Sequence, residues 1–472
     1  MLPTPVNYAI YPSVVRAGVE SEIFIVPTEK AFLFVEDQEY KVTVIGVDND
    51  EMDYKTCKSH QIMMIKGHRG VLQFSFLFHS EQEYQIKIET MEPKLLGSVF
   101  LYALEEDLYA LKPLKTDLHS HSFRSDGMRD PSAEAGHYRE QGYDCFALTD
   151  HNRFYPGGEI DETFQGVKTE FFRIPGEEVH TPGNIIHIVH VGGTKSVAAQ
   201  YVNDTDGYLR ETEEYKKKVP ADIPAEYTER YAMAMWATDK IHEAGGLAIF
   251  PHPFWRPGKS SVNNVRYDFA KRLIKSGMFD AYELIGGMGQ VGNNLSIALW
   301  GELRADGVKI PVVASSDVHK IEGKLYFPYL FTISFAKERN AESVLESIRK
   351  GMTVAVESTG SNYDLQHRCY GSYRLVAYAH FLLRQYFLPM QRICASEGVA
   401  MRAYAMGEAD KQLIEVQAEF AAHFRARFFG QEPPVLPSDA MLEFEERWRD
   451  VQRKGPQTRG SSIATPPVTM QI

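Results

Sequence analysis

From about residue 113 to 358 the chain repeats one pattern: an apolar run short enough for a strand, a polar turn, then a stretch with helical spacing. That alternation predicts an α/β domain with largely parallel strands. The first unit is punctuated at both ends, because Asp130 can cap a helix whose first residue is Pro131 and Gly142 can close it before the strand "DCFAL". Histidines and carboxylates narrow the fold further. "KTDLHSHS" delivers His119 and His121, "CFALTDHN" His151, "FRIPGEE" Glu177 and Glu178, "GLAIFPHP" His252, and "IPVVASSDVH" Asp317 and His319. Each lies where an apolar run has just ended, whereas "NIIHIVHVG" carries His187 and His190 within one. In a (β/α) barrel the carboxyl ends of all strands open on one mouth, so these residues are expected to meet in a single site.

Residues two apart in a strand point the same way, so His119 and His121 present both imidazoles to one side. Asp126 and Gly127 then form a polar turn that can return a carboxylate to the same place. Alone, a His-x-His pair is as well explained by an exposed polar strand end. Repetition at equivalent places is what favours a site. A set of imidazoles and carboxylates without thiolate suits Zn, Mn or Fe at a hydrolytic centre. It also exceeds one ion's needs, which predicts two or three divalent ions.

Before residue 112 the period is two: Tyr40, Val42 and Val44, then Leu72, Phe74, Phe76 and Phe78, then Tyr84, Ile86 and Ile88 alternate with polar neighbours. With turns such as "GVDNDEMD" between them, residues 1–112 read as a β-sandwich. Residues 359–430 read as a helical extension in which Pro389 interrupts two amphipathic stretches. Residues 431–472 gather prolines and read as a disordered tail. The whole, 472 residues with 44% hydrophobic and 24% charged content, is ordinary for a folded chain of several domains. A net charge of -12 without a Lys/Arg block argues against a duplex nucleic acid partner. Four scattered cysteines with no CxxC suggest neither a disulfide framework nor a zinc knuckle. No apolar run is long enough to span a bilayer and no basic leader precedes an apolar core, so a cytoplasmic protein without a membrane partner is expected.

Together, "DLHSHS" with "SDG", "GYDCFALTDHN", "PHP" and "SSDVH" resemble the PHP (polymerase and histidinol phosphatase) superfamily of metal-dependent phosphoesterases in its standalone form, over about residues 114–320. The upstream β region resembles, less closely, the CehA/McbA-like metallohydrolases. The resemblance implies a distorted (β/α)7 barrel of PHP type with a trinuclear site. It implies that His119, His121, Glu178 and Asp317 hold one ion, that Glu178 bridges to a second held also by His252 and a strand histidine, and that Asp126, His151 and His319 hold the third. Glu178 is preferred to Glu177 because the family carries Gly-x-Glu after this strand and Gly176 anchors that count. His187 is preferred to His190, which reads as a buried structural histidine, because it lies closer to Gly183.

Arg153, two residues past His151, and Arg256, four past His252, are candidates to grip a phosphate bidentately, with Lys320 a weaker third. Loop arginines are as often simply solvated. The expected activity is hydrolysis of a small phosphate mono- or diester by a metal-bound hydroxide. Asp126, His151 and His319 join the arginines as candidate catalytic residues, and His151 or His319 could relay a proton. Two alternatives stand beside it. The same metals could hydrolyse a carboxylic ester, amide or carbamate, which an aromatic pocket of Phe154, Tyr155, Phe254 and Trp255 would favour, or the barrel could be a non-catalytic, metal-stabilised assembly protein. Among other residues, Glu283 is expected to orient a ligand histidine, His180 to be an exposed loop residue, His137 and His242 to be surface or packing residues, and "GGMGQVG" to be a flexible loop. The polar insertion 203–228 is a candidate lid, and the helical extension a candidate cover or homo-oligomer contact.

Overall fold

The period-two runs form strands. Leu72–Leu77 buries Leu72, Phe74 and Phe76 and exposes Gln73, Ser75 and Leu77, the alternation of a half-buried antiparallel strand. In the computed structural model, which describes residues 7–48, 61–92, 94–257, 261–320, 327–360 and 365–453, this strand joins Tyr8–Tyr11 and Glu20–Pro27 in a three-stranded sheet. A five-stranded sheet holds Val14–Arg16, Leu95–Leu104, Gln82–Thr90, Glu39–Gly46 and Gln61–Lys66 in that order. Val42 opposes Ile88 and Val44 opposes Ile86, so two of the alternating runs share one buried face. Both sheets contribute to one core containing Ile23, Ile25, Leu72 and Leu101. Most of the turn "GVDNDEMD", with Cys57, lies outside the described residues.

Between Lys112 and Tyr370 the fold is α/β, but its hydrogen-bond plan differs from the expected one. One sheet has six strands in the order Phe172–Ile174, Cys145–Ala147, Lys112–Asp117, Leu330–Ala336, Thr353–Thr359, Gln366–Tyr370. The other has five: Gly176–Val179, Ile188–Gly192, Gly246–Phe250, Ala281–Ile285, Val312–Ala314. The strands are therefore divided between two sheets and not registered as seven in one ladder. Nor are they largely parallel, since Ile188–Gly192 is antiparallel to both neighbours and Leu330–Ala336 to both of its own. For the pair Gly176–Val179 and Ile188–Gly192 connection length gives the reason: the eight residues from His180 to His187 are too few for a crossover helix and can only turn the chain back. Leu114, Cys145 and Ile174 of one sheet nevertheless share a core with Val189, Leu247, Ala281 and Val313 of the other. Isolated parallel bridges, Ser120 to Val318 and His151 to Glu178, join the sheets where their strands end.

The helix Pro131–Glu140 begins as expected, with the Asp130 carboxylate accepting from the Ala133 N–H at 2.9 Å. The 203–228 insertion folds largely as the helix Thr205–Lys216, which packs on Thr228–Glu243. There Tyr208 stands edge-on to Trp236, whose Nε1 donates to Glu211 at 2.7 Å.

Gln366–Tyr370 is an edge strand on Thr353–Thr359, so the helical extension starts later than residue 359. Pro389 does not interrupt it either. Tyr373–Leu382 passes through a π-helical turn, Leu383–Phe387, directly into Leu388–Ala405. Proline lacks an N–H and crowds the carbonyl one turn back, and a widened turn just before it relieves that crowding. Leu388–Ala405 crosses Pro131–Glu140 at two glycines: a Cβ on Gly398 would lie 2.2 Å from the Glu140 nitrogen and 2.4 Å from the Gly136 oxygen. Beside the crossing, buried Arg139 donates to buried Glu397 at 2.6 Å. After Lys411–Phe428, the stretch expected to be a tail holds one more helix, Asp439–Arg453. No proline falls between Pro437 and Pro456, and Phe444, Trp448 and Val451 recur there at helical spacing. Residues 454–472 lie outside the described residues. Among the described residues no helix is long and apolar enough to cross a membrane.

Candidate metal centre

The strand Lys112–Asp117 continues into Leu118–His121, which runs beside Asp317 and Val318. Asp317 N donates to His119 O at 2.9 Å and His121 N to Val318 O at 3.0 Å. Asp117 holds this pair of chains from behind, accepting from Ser316 N at 3.0 Å and from the Tyr138 hydroxyl at 2.8 Å. His119 Nε2 and His121 Nε2 then lie 3.4 and 3.1 Å from Asp317 Oδ1. Asp317 has φ +51° and His252 φ +26°. Both lie in the left-handed region that non-glycine residues rarely adopt, which is common where side chains are aimed at a site.

The next turn is tied by Asp150, which accepts from Ser122 N at 2.8 Å, Ser122 Oγ at 2.7 Å and Ser125 Oγ at 2.6 Å. Gly127 lets the chain double back, since a Cβ there would lie 2.2 Å from the His121 oxygen. Asp126 thus returns to within 3.3 Å of His319 Nε2, 3.7 Å of His151 Nε2 and 3.8 Å of His121 Nδ1. Buried Glu178 occupies the middle. Its Oε2 is 3.0 Å from His151 Nδ1 and 3.3 Å from both His119 Nε2 and His121 Nε2, while its Oε1 is 2.8 Å from His187 Nδ1 and 3.0 Å from His252 Nε2.

Two ligands each about 2.1 Å from one ion stand about 3.0 Å apart at a right angle and about 3.4 Å apart at a tetrahedral angle. The separations here fall around those values. Four groups of candidate ligands result: His121, Asp126, His151 and His319; His119, His121 and Asp317; His119, Glu178 and His252; His151, Glu178 and His187. All nine residues expected to ligate are brought together. The grouping departs from the implied one in that His121 lies with Asp126 and His319 as well as with Asp317, and His151 lies with Glu178 and His187 as well as with Asp126.

Buried His119 Nε2, both nitrogens of His121 and His151 Nδ1 have no hydrogen-bond partner among the described residues. Polar atoms are seldom buried without one, and a bound cation satisfies them. Tautomers point the same way. The His119 Nδ1–H donates to Glu283 at 3.0 Å and the His319 Nδ1–H to the Asp317 carbonyl at 2.9 Å, which leaves each Nε2 lone pair facing the cluster. The residues present therefore fit divalent ions.

Charge is concentrated here. Burial opposes protonation of His119 and His121, but the carboxylates outweigh it: Asp317, Glu178 and Glu283 raise His119 well above the usual imidazole range, and Asp317 and Glu178 raise His121 to about 9. Burial lowers His151 to about 4. The hydrogen bond from His319 and the neighbouring imidazoles lower Asp126 to about 2.

Two features were not legible as site residues. Gly286 and Gly287, in the "GGMGQVG" stretch, give clearance to acids: a Cβ on Gly286 would lie 2.0 Å from Glu283 Oε1 and one on Gly287 2.6 Å from Asp317 Oδ2. The stretch then opens the helix Gly289–Ala305 and is no free loop. The exposed His180 has its ring 4.2 Å from that of His187. Glu177 and His190, the alternatives weighed in the sequence, pair with each other at 3.2 Å, outside the cluster. His242 pairs with Asp280 at 2.8 Å, and His137 is half-buried on its helix, both away from the cluster.

Arg153, Arg256 and Lys320 are exposed and pair with no carboxylate among the described residues. Arg153 donates to the Arg124 carbonyl and Arg256 to Asn263 at 3.0 Å. The aromatic quartet is dispersed. Phe154 stacks on His190, Phe254 is in the core and Tyr155 is exposed, while the Trp255 ring lies 6.0 Å from His252 and 6.1 Å from His187.

No family model and no curated protein matches the chain. Among solved structures it is similar to a two-domain protein from Bacteroides vulgatus described as containing a predicted PHP-like metal-dependent phosphoesterase, with 17% identity, a TM-score of 0.35 and coverage of 56% of this chain and 76% of that one. A protein from Bifidobacterium adolescentis described as a candidate metal-dependent phosphoesterase gives 15% identity and a TM-score of 0.32, over 50% and 96% of the two chains. An amidohydrolase from Chromobacterium violaceum gives 19%, 0.30, 45% and 89%.

Proposed function

We propose that the chain is a metal-dependent hydrolase of small phosphate mono- or diesters. The observation that carries this reading is the convergence of nine imidazole and carboxylate side chains around Glu178, with buried imidazole nitrogens that have no partner. Ions held there would supply Lewis acidity, lowering the pKa of water and polarising a phosphoryl group. His119, His121, Glu178, Asp317, His187 and His252 form the buried floor, while Asp126, His151 and His319 form the open side through which a substrate enters. Glu283 holds His119 in the tautomer a ligand needs.

Two further observations favour phosphorus over carbon as the electrophile. Arg153, Arg256 and Lys320 follow ligand residues on the loops and have no carboxylate partner among the described residues, so they are available to non-bridging phosphate oxygens. The four aromatics that would favour a neutral carbonyl substrate do not form a pocket.

Nitrophenolate release by Mn- and Zn-loaded protein from nitrophenyl phosphate, bis-nitrophenyl phosphate and nitrophenyl acetate tests the reading, beside a folded His121→Ala control. Phosphate-ester turnover that His121→Ala abolishes is expected. Turnover of the acetate alone would replace the phosphoesterase by a carbonyl hydrolase, and turnover unaffected by the substitution would remove the site from the chemistry.

A further inference from the structure

A second concave site lies apart from the metal centre. Tyr11, at the end of the first strand, faces the helices Leu388–Ala405 and Lys411–Phe428 across a cleft of about 450 Å³. Arg392, His423 and Arg427 line it together with the rings of Phe420, Phe424 and Tyr11, and no described carboxylate lines it. In a chain of net charge -12 such a lining is out of keeping with the rest. Arg392 is exposed and has no hydrogen bond or ion pair among the described residues. Arg427 buries its Nε without a hydrogen-bond partner. Its nearest acid, Glu432, is 4.0 Å away and is already paired with His423 at 2.8 Å. Phe420 stands 62% exposed at the rim.

A single unpaired surface arginine is ordinary. Here Arg392 without an acid and Arg427 with only Glu432, at 4.0 Å, line one cleft with three aromatic rings and no lining carboxylate, which forms a site with matched chemistry. The guanidinium is a planar, weakly hydrated cation that binds oxyanions in its plane, and the rings offer flat apolar area. We propose that this cleft binds a small organic anion bearing an aromatic ring, its oxygens held by Arg392 and Arg427 and its ring packed on Phe420 and Phe424. Because strand and helices each supply part of the wall, such a ligand also ties the N-terminal sheets to the C-terminal helices.

Calorimetric titration of the full, metal-loaded chain with naphthalene-1-sulfonate tests this, with inorganic sulfate and 1-naphthalenemethanol as comparisons. One-to-one binding of the sulfonate is expected, at least tenfold tighter than either comparison. It should weaken at least tenfold in Arg392→Ala and in Phe420→Ala, both exposed truncations whose folding is checked by thermal melting. Absence of binding, binding unchanged in both variants, or equal binding of sulfate or of the neutral alcohol would overturn the proposal.

Discussion

Glu178 offers one oxygen to three imidazoles and the other to two more, and everything around it serves to hold nitrogens and oxygens at ligand spacing. Glu283 acts one step further out. Glu283→Gln keeps the shape of the side chain but removes the charge that makes His119 a better donor, and metal affinity should fall about tenfold to a hundredfold; competition against a chelating dye measures it, and an unchanged affinity would reduce Glu283 to packing. A second residue predicts a pH effect. Burial raises the Glu134 carboxyl to about 8 against the opposing charge of Arg129, and its Oε2 has no hydrogen-bond partner among the described residues. Between the ordinary carboxylate range and pH 8 the unfolded chain has lost this proton while the folded chain keeps it, so stability falls as pH rises, by up to about 1.4 kcal/mol per pH unit. Glu134→Gln removes that slope. Its melting temperature relative to the natural chain should therefore climb from pH 5 to pH 8, and a flat difference would mean that Glu134 is ionised in the fold. At this scale most ligand candidates were legible because they follow the end of an apolar run, with Asp126 in the turn after one and His187 within another. The glycines beside Glu283 and Asp317 were not, because their role depends on atoms that approach through space.

Among the elements, the turns and caps were legible and the pairing was not. Asp130 and Pro131 start their helix as their chemistry dictates, since capping is decided within four residues. Strand direction depends on what the whole connection can reach, and an eight-residue link after Val179 gives an antiparallel pair. Pro389 misled for a related reason: its local preference is real, but one π turn satisfies it without ending the helix. The helix that follows is positioned by absent atoms. Gly398→Ala places a methyl against the backbone of Glu140 and Gly136, which no rotamer change can relieve, so the helices must separate at a cost of about 1–3 kcal/mol. Separation also loosens Tyr138, whose hydroxyl donates to the Asp117 carboxylate that supports the ligand strand. A lower melting temperature together with weaker metal retention is expected, and a variant that melts lower but keeps its metals as tightly would show the two elements to be uncoupled.

At the scale of the molecule, the N-terminal sheets keep a core of their own but also share a second one with the α/β sheets and the C-terminal helices. Val14, Tyr102 and Leu104 share one apolar cluster with Tyr138, Phe146 and Phe331 of the α/β region and with Tyr378, Phe381, Tyr386 and Phe428 of the helices. Tyr102 and Tyr378 rings lie 5.0 Å apart, and Tyr378 in turn stacks at 5.7 Å on Phe335. Ion pairs follow the same seam, Arg374 with Glu81 and Asp107 and Arg384 with Glu83 at 2.6 Å. Sequence periodicity shows which face of an element is apolar but not which partner covers it, so the chain read as a string of units. A helical region built into the core is poorly suited to act as a detachable binding module, which weighs against the assembly reading. Units that share a core should also unfold together. Calorimetry of the full chain is expected to give one transition whose van't Hoff and calorimetric enthalpies agree. A chain ending at residue 370 leaves the Tyr102 and Phe335 faces uncovered and should aggregate on expression instead of folding as a smaller unit. Two resolved transitions, or a soluble, metal-binding 1–370 fragment, would show that the α/β region stands without its helical brace.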